Sequence, residues 1–285
     1  MPITEKIDVR RTADRFVTKT DWLDSKHSFS FGHHYDPANV GHGLLRTNND
    51  DIVAPGGGFH THPHQDMEIV TWVLRGSLLH QDSTGHSGVI YPGLAQRMSA
   101  GTGILHSEGN DSRLTGSGHQ DEVHFIQMWV VPGETGLTPG YGQLDIADDL
   151  RGADLITLAS GMAKHSDVSA IRINNEDAAL HAARLQPGKQ VTLPEAPCLH
   201  VFVAQGEVDL EGAGTLDEGD AVRLTEGGGQ RVTSASDGTE ILVWEMQTNR
   251  LTAGRPDLTR PRSARSRAAG AEAAPEPRGR SGGRW

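Results

Sequence analysis

Two stretches of this chain share one design. TWVLRGSLLHQD at 71–82 and VFVAQGEVDLEG at 201–212 each join two apolar runs through a glycine. Short runs of β-branched and aromatic residues suit strands, and a glycine between them marks a turn. Gly76 and Gly206 hold the same place 130 residues apart. VIYPGLAQRMSAG at 89–101 likewise matches TLDEGDAVRLTEG at 215–227, with Gly93 against Gly219 at an offset of 126. A β-unit repeated at that distance points to two like halves. EIVTWVLRGSLLHQD (68–82) reads as a hairpin, and VHFIQMWVVP (123–132) as a strand closed by Pro132 and Gly133. Helical periodicity is weak; DAALHAAR (177–184) is compatible with a short helix or a strand. The expectation is an all-β chain with a first unit over 1–145 and a second over 146–250, divided at the polar stretch DIADDLRGAD.

The net charge of −11 is unevenly spread. Residues 250–285 hold nine arginines against three acids, so the body before them is strongly acidic. Non-specific nucleic-acid binding by that body is therefore not expected. The tail 251–285 is rich in Arg, Ala, Gly and Pro and poor in large apolar residues. It is expected to be disordered, with a weak contact to an acidic partner as the sharper alternative. Cys198 is the single cysteine, which excludes an intramolecular disulfide and fits a reducing, cytoplasmic setting. MPITEKIDVRRTADRF lacks the apolar stretch of a signal peptide, and no apolar run of about 18 residues suggests a membrane helix.

Chemistry concentrates in GGFHTHPHQDME, residues 57–68. His60, His62 and His64 alternate, so a strand extended throughout would turn all three to one face. Pro63 suits an extended backbone. A second segment, SAGTGILHSEGN at 99–110, places His106 and Glu108 two apart after a glycine turn. Three imidazoles and a carboxylate suit a first-row divalent metal; Fe(II) is a natural occupant, and Mn, Ni, Co, Cu or Zn are also accepted. An ion favouring about six ligands would keep two positions open. Twelve of the fifteen histidines lie between His27 and His124. At the two offsets the second copy sets Thr192 and Pro194 against His62 and His64, and Val232 and Ser234 against His106 and Glu108. One metal per chain, in the first half, is expected.

HPHQDME, the YPG turn, GTGILHSE and FIQMWVVP together resemble the pirin family of two-domain cupins. The resemblance covers most of residues 10–250 and is strongest over 56–132. It implies a bicupin, two face-to-face antiparallel β-barrels, with the metal in the N-terminal barrel. The family's ligands fall on His62, His64, His106 and Glu108. Some pirins resemble quercetinases, which open flavonols with O₂ and release CO; others are iron-dependent cofactors of transcription regulators. The resemblance thus implies a dioxygenase taking a planar polyphenol and O₂, with Glu108 as the general base. A non-enzymatic redox sensor docking on a protein partner is the alternative.

His60 is not required by the family pattern; it reads as an exposed residue, with a supporting place behind the ligands or a proton-carrying role at the cavity as the alternatives. Glu68 rivals Glu108, since many single-domain cupins place a metal-binding glutamate there; with Glu108 as ligand, Glu68 becomes a nearby hydrogen-bonding group. His80 and His86 read as solvent-facing or local hydrogen-bond partners, and His33 and His34 as packing residues near the cavity mouth. Gln127 is a candidate to point toward the metal. Met98, Ile104, Leu105, Phe125 and Met128 read as lining or core. No dinucleotide, Walker or GxSxG loop occurs in a useful context. A monomer is expected, because two fused units bury each other's faces.

Overall fold

The strand Glu68–Arg75 has both faces covered, and this sets the architecture. Its odd residues Ile69 and Val73 pack with the interior of the first half, whereas Val70, Trp72 and Leu74 join a cluster shared with the second half. Thr239–Met246 does the same from the other side. Ile241 and Val243 face its own interior, and Leu242, Trp244 and Met246 face the shared cluster. Alternate side chains leave a strand on opposite faces, so a strand buried on both reads as a continuous apolar run.

The computed structural model describes residues 6–113, 121–152 and 154–248. The tail 251–285 lies outside the described residues. Among those described there is no α-helix, only short 3-10 turns. DAALHAAR forms the strand Ala178–Leu185, paired on both edges.

Each half stacks a seven-stranded sheet on a four-stranded one. In the first half the small sheet runs Gly58–His64, Ile104–Asn110, Leu78–Asp82, Ser87–Ile90. In the second it runs Gln190–Thr192, Arg231–Ser234, Glu207–Leu210, Gly214–Asp217, the same order. The repeat is therefore structural.

The hairpin reading of 68–82 is corrected. Glu68–Arg75 pairs with Leu94–Ser99 and Val123–Val130 in the large sheet, whereas Leu78–Asp82 pairs with Ile104–Asn110 and Ser87–Ile90 in the small one. Gly76 turns the chain from one sheet to the facing one. It has φ +73°, and a Cβ there would stand 2.5 Å from the Glu122 carbonyl oxygen. Gly206, φ +77°, makes the equivalent corner in the second half.

One strand crosses between the halves. Lys6–Arg10 pairs antiparallel with Ala221–Gly227, at the edge of the second large sheet. In the first half the corresponding edge is occupied by Gly140–Asp145. Polar ties supplement the shared apolar cluster. The Trp72 Nε1–H donates to Glu240 Oε1, and Glu240 Oε2 accepts from Arg184 at 2.6 Å. Arg223 donates to the Ser28 carbonyl at 3.0 Å and to Asn39 Oδ1 at 2.7 Å.

The second interior is filled by aliphatic side chains, among them Val191, Leu199, Val208, Leu216 and Val232. The first has a smaller apolar core, around Val53, Val73, Leu78, Ile90 and Phe125, and leaves room beside it for polar groups.

Candidate metal centre

Gly58–His64 and Ile104–Asn110 pair antiparallel, with His106 opposite His62 and Ile104 opposite His64. Alternation along each strand then brings three imidazoles together. Ring centroids lie 4.4 Å apart for His62 and His106, and 4.8 Å for the other two pairs. One ring nitrogen of each lies within 4.8 Å of the others.

His60 does not join them. The register slips between His106 and Glu108, because Glu108 faces Phe59 rather than His60. This β-bulge interrupts the alternation that would have kept His60 on the inner face. Its side chain is exposed. Its backbone has a role, however: the His62 Nδ1–H donates to the His60 carbonyl at 2.7 Å. A carbonyl only accepts, so the proton is fixed on Nδ1 and Nε2 keeps its lone pair.

Burial, with its neighbouring imidazoles, lowers His64 to about 4 and His106 to about 3. Both rings are neutral near pH 7. His64 Nε2 and both His106 nitrogens are buried without a hydrogen-bond partner. Buried polar atoms rarely stay unpaired, and convergent neutral imidazoles are the donor set of a transition-metal ion. The residues fit a divalent metal.

Glu108 is 5% exposed and stands beside His106, opposite His80 in register. Its carboxylate falls within 4.8 Å of nitrogens of His80 and His106, a set distinct from the three-imidazole one. Glu108 Oε2 accepts from Gln127 Nε2 at 2.7 Å, and Gln127 Oε1 accepts from Trp129 Nε1 at 3.1 Å. Gln127, a candidate from the sequence, thus points to Glu108 and lines the cavity.

Of the two roles expected for His80, the structure shows the local hydrogen-bond partner and not the solvent-facing one: it is 1% exposed, 5.4 Å from the His106 ring. It hydrogen-bonds Asp82 at 3.3 Å, and its Nδ1 is unpartnered. Burial works against Asp82 ionising, but hydrogen bonds from Thr84, His80 and the His86 backbone prevail and hold it at about 2. The alternation His80-Gln81-Asp82 was the available signal.

Glu68, the rival carboxylate, is buried but engaged elsewhere. Its Oε2 accepts from Ser99 Oγ at 2.8 Å and from the Asn174 backbone at 3.0 Å, and its Oε1 accepts from Asn174 Nδ2 at 3.2 Å. It ties the halves together.

A cavity of about 290 Å³ opens onto His62, His64 and Glu108. Leu23, Phe31, Phe59 and Trp129 give it apolar walls. Ser25, His27, Asn49 and Asp51 form a polar side, delivered by Leu23–His27 and Leu45–Val53, where Ser25 faces Asp51 and His27 faces Asn49. His27 bridges Thr18 Oγ1 and Asn49 Oδ1, each at 2.8 Å. Burial pushes the Asp51 acid up to about 7. Sequence reasoning missed this side, because TNNDD carries no spacing signal. His33 lines the cavity, and His34 stacks on Phe16 at 5.2 Å. Met98, Ile104, Phe125 and Met128 are buried, but Leu105 is 48% exposed.

The second half has no equivalent cluster at the matching positions. Val232 pairs with Val191 where His106 pairs with His62, so Val191, not Thr192, is the counterpart of His62. A separate group, His165, His181 and Glu245, does converge elsewhere in that half. Its atoms are satisfied: Glu245 bonds His181 at 3.1 Å, Lys164 at 2.5 Å and Gln247 at 2.7 Å, and Ser160 and Thr157 bond the Nδ1 atoms of His165 and His181.

Two like β-sandwich barrels in one chain, with an imidazole cluster beside a cavity in the first, define a bicupin. The chain belongs to the pirin family: residues 9–130 match the pirin domain, and 158–246 match the quercetinase C-terminal cupin domain. A Mycobacterium tuberculosis protein named "Putative quercetin 2,3-dioxygenase Rv0181c" is 57% identical over 244 residues, 86% of this chain and 96% of its own. "Quercetin 2,3-dioxygenase" of Escherichia coli K12 is 45% identical over 150 residues, 53% of this chain and 62% of its own. The solved structure of the bacterial pirin YhhW from Escherichia coli in complex with nickel(II) superposes with a TM-score of 0.74 at 32% identity, covering 85% of this chain and 100% of that one. Among the described residues, no helix is long and apolar enough to cross a membrane.

Proposed function

We propose that this chain is a metal-dependent dioxygenase of the quercetinase type, with His62, His64, His106 and Glu108 as ligands and Fe(II) as the metal. The observation that carries the reading is the set of unpartnered buried imidazole nitrogens beside a cavity with aromatic walls. The nickel(II) complex of a related pirin and the quercetin dioxygenase names of relatives support it.

A bound divalent metal would lower the pKa of a substrate hydroxyl and hold it near O₂. The chain's own residues do the rest. Phe31, Phe59 and Trp129 form walls suited to a flat aromatic ligand and exclude water from it. Glu108, held by Gln127, takes the 3-hydroxyl proton of the flavonol on a carboxylate oxygen. The His60 carbonyl keeps His62 in the tautomer that presents Nε2. Quercetin and O₂ are converted to the ring-opened ester and CO. A redox sensor calls for a shallow, blocked site; the cavity favours catalysis.

The test is quercetin-dependent O₂ uptake with CO detection on iron-loaded protein beside His106→Ala. Turnover that vanishes with the metal in the variant supports the reading. Tightly bound iron without turnover would replace it with the sensor.

A further inference from the structure

The mechanism above uses one end of the cavity and leaves its polar side without a task. Asp51 lies there, 3% exposed. Ser25 stands opposite it in register, and its Oδ1 is buried and has no partner. Its strand neighbours explain this. Asp51 faces Ser25 on one side and Phe125 on the other, and Phe125 offers no polar side-chain atom. Asp50, the adjacent residue, is paired with Arg15 at 3.0 Å and His124 at 2.6 Å. The basic side chains of this region thus go to Asp50, and Asp51 keeps an unpartnered oxygen turned to the cavity. Leaving a buried acceptor unpaired is costly, so the atom favours any occupant that brings a donor.

We propose that Asp51 Oδ1, with the Ser25 hydroxyl beside it, is a second anchoring subsite that accepts a hydrogen bond from a further phenolic hydroxyl of the ligand. The cavity then selects polyhydroxylated flavonols over those with the 3-hydroxyl alone. This rests on the flavonol reading of the site and names the feature of the ligand that is recognised.

The test uses nickel-loaded full-length protein and two probes, quercetin and 3-hydroxyflavone, which share the 3-hydroxyl and differ in the others. Affinities are read by fluorescence titration, with bound metal measured in every sample. Wild type is expected to bind quercetin about threefold to tenfold more tightly, the scale of one net hydrogen bond. Asp51→Leu is expected to remove that preference, leave 3-hydroxyflavone affinity in place and keep the metal. Replacing a buried, poorly partnered acidic side chain with a similar-sized apolar group should preserve the fold; Asp51→Asn, expected to narrow the preference, serves if Asp51→Leu does not. Equal binding of both flavonols by wild type, or a preference that survives in the variants, overturns the subsite while leaving the flavonol site standing. If neither flavonol binds wild type, the flavonol reading falls and the subsite with it.

Discussion

Gln127 donates to Glu108 across 2.7 Å from a strand of the other sheet, while its own carbonyl is held by Trp129 at 3.1 Å. The amide is thereby oriented, and the carboxylate beside the histidines is aimed by a residue that need not touch metal. Gln127→Leu should weaken metal binding by about 10–100-fold, the usual effect of removing a group that orients a ligand. A competitive metal titration measures it, and an unchanged affinity would remove Gln127 from the site.

His60 and His106 should behave oppositely. Only the His60 carbonyl is used, so His60→Ala should keep wild-type metal stoichiometry. His106→Ala deletes the imidazole at the centre of the cluster and should lose the metal. Metal content of purified, reloaded protein tells the two apart.

The two glutamates separate in the same way. Glu68→Ala leaves Asn174 and Ser99 without their acceptor and should cost about 1–3 kcal/mol of stability. It should retain the metal. Glu108→Ala should lower metal affinity instead. Urea unfolding beside metal analysis checks both, and loss of metal with Glu68→Ala would restore that residue as the ligand.

Acid should find the second half through Glu245. Burial alone would raise its pKa, but His181 and Lys164 prevail and hold it at about 2 against an ordinary 4.5. A depressed carboxylate stabilises the fold fully above its unfolded pKa and loses that contribution as pH falls through the folded one. The window is therefore pH 4.5 down to about 2. Because Lys164 is half exposed, the contribution is about 2 kcal/mol rather than the full value of the shift. Denaturation of wild type and Glu245→Gln should show a gap at pH 6 that closes toward pH 2.5. A constant gap would contradict this.

Strands and candidate metal-site residues were legible in the sequence where they depend on local alternation. His62, His64, His106 and Glu108 all follow from it, as does the repeat marked by Gly76 and Gly206. What was hidden depends on which strands meet. A glycine between two apolar runs looks the same whether the chain folds back or crosses to a facing sheet, so 68–82 read as a hairpin. The bulge that excludes His60 exists only in the pairing of two strands. Val191, rather than Thr192, became the counterpart of His62 by a one-residue difference in register. His80 and Asp51 gained their places from neighbours distant in sequence.

The strand Lys6–Arg10 gives the chain an unusual timetable. Ile7 pairs with Leu224, so this segment is synthesised long before its partner. Until then its backbone donors and acceptors are an open edge, available to any passing strand. A nascent chain halted after the first barrel would carry that edge into the cell with nothing to close it. Completion of the second barrel thus also caps this strand, even though the candidate metal ligands all lie in the first.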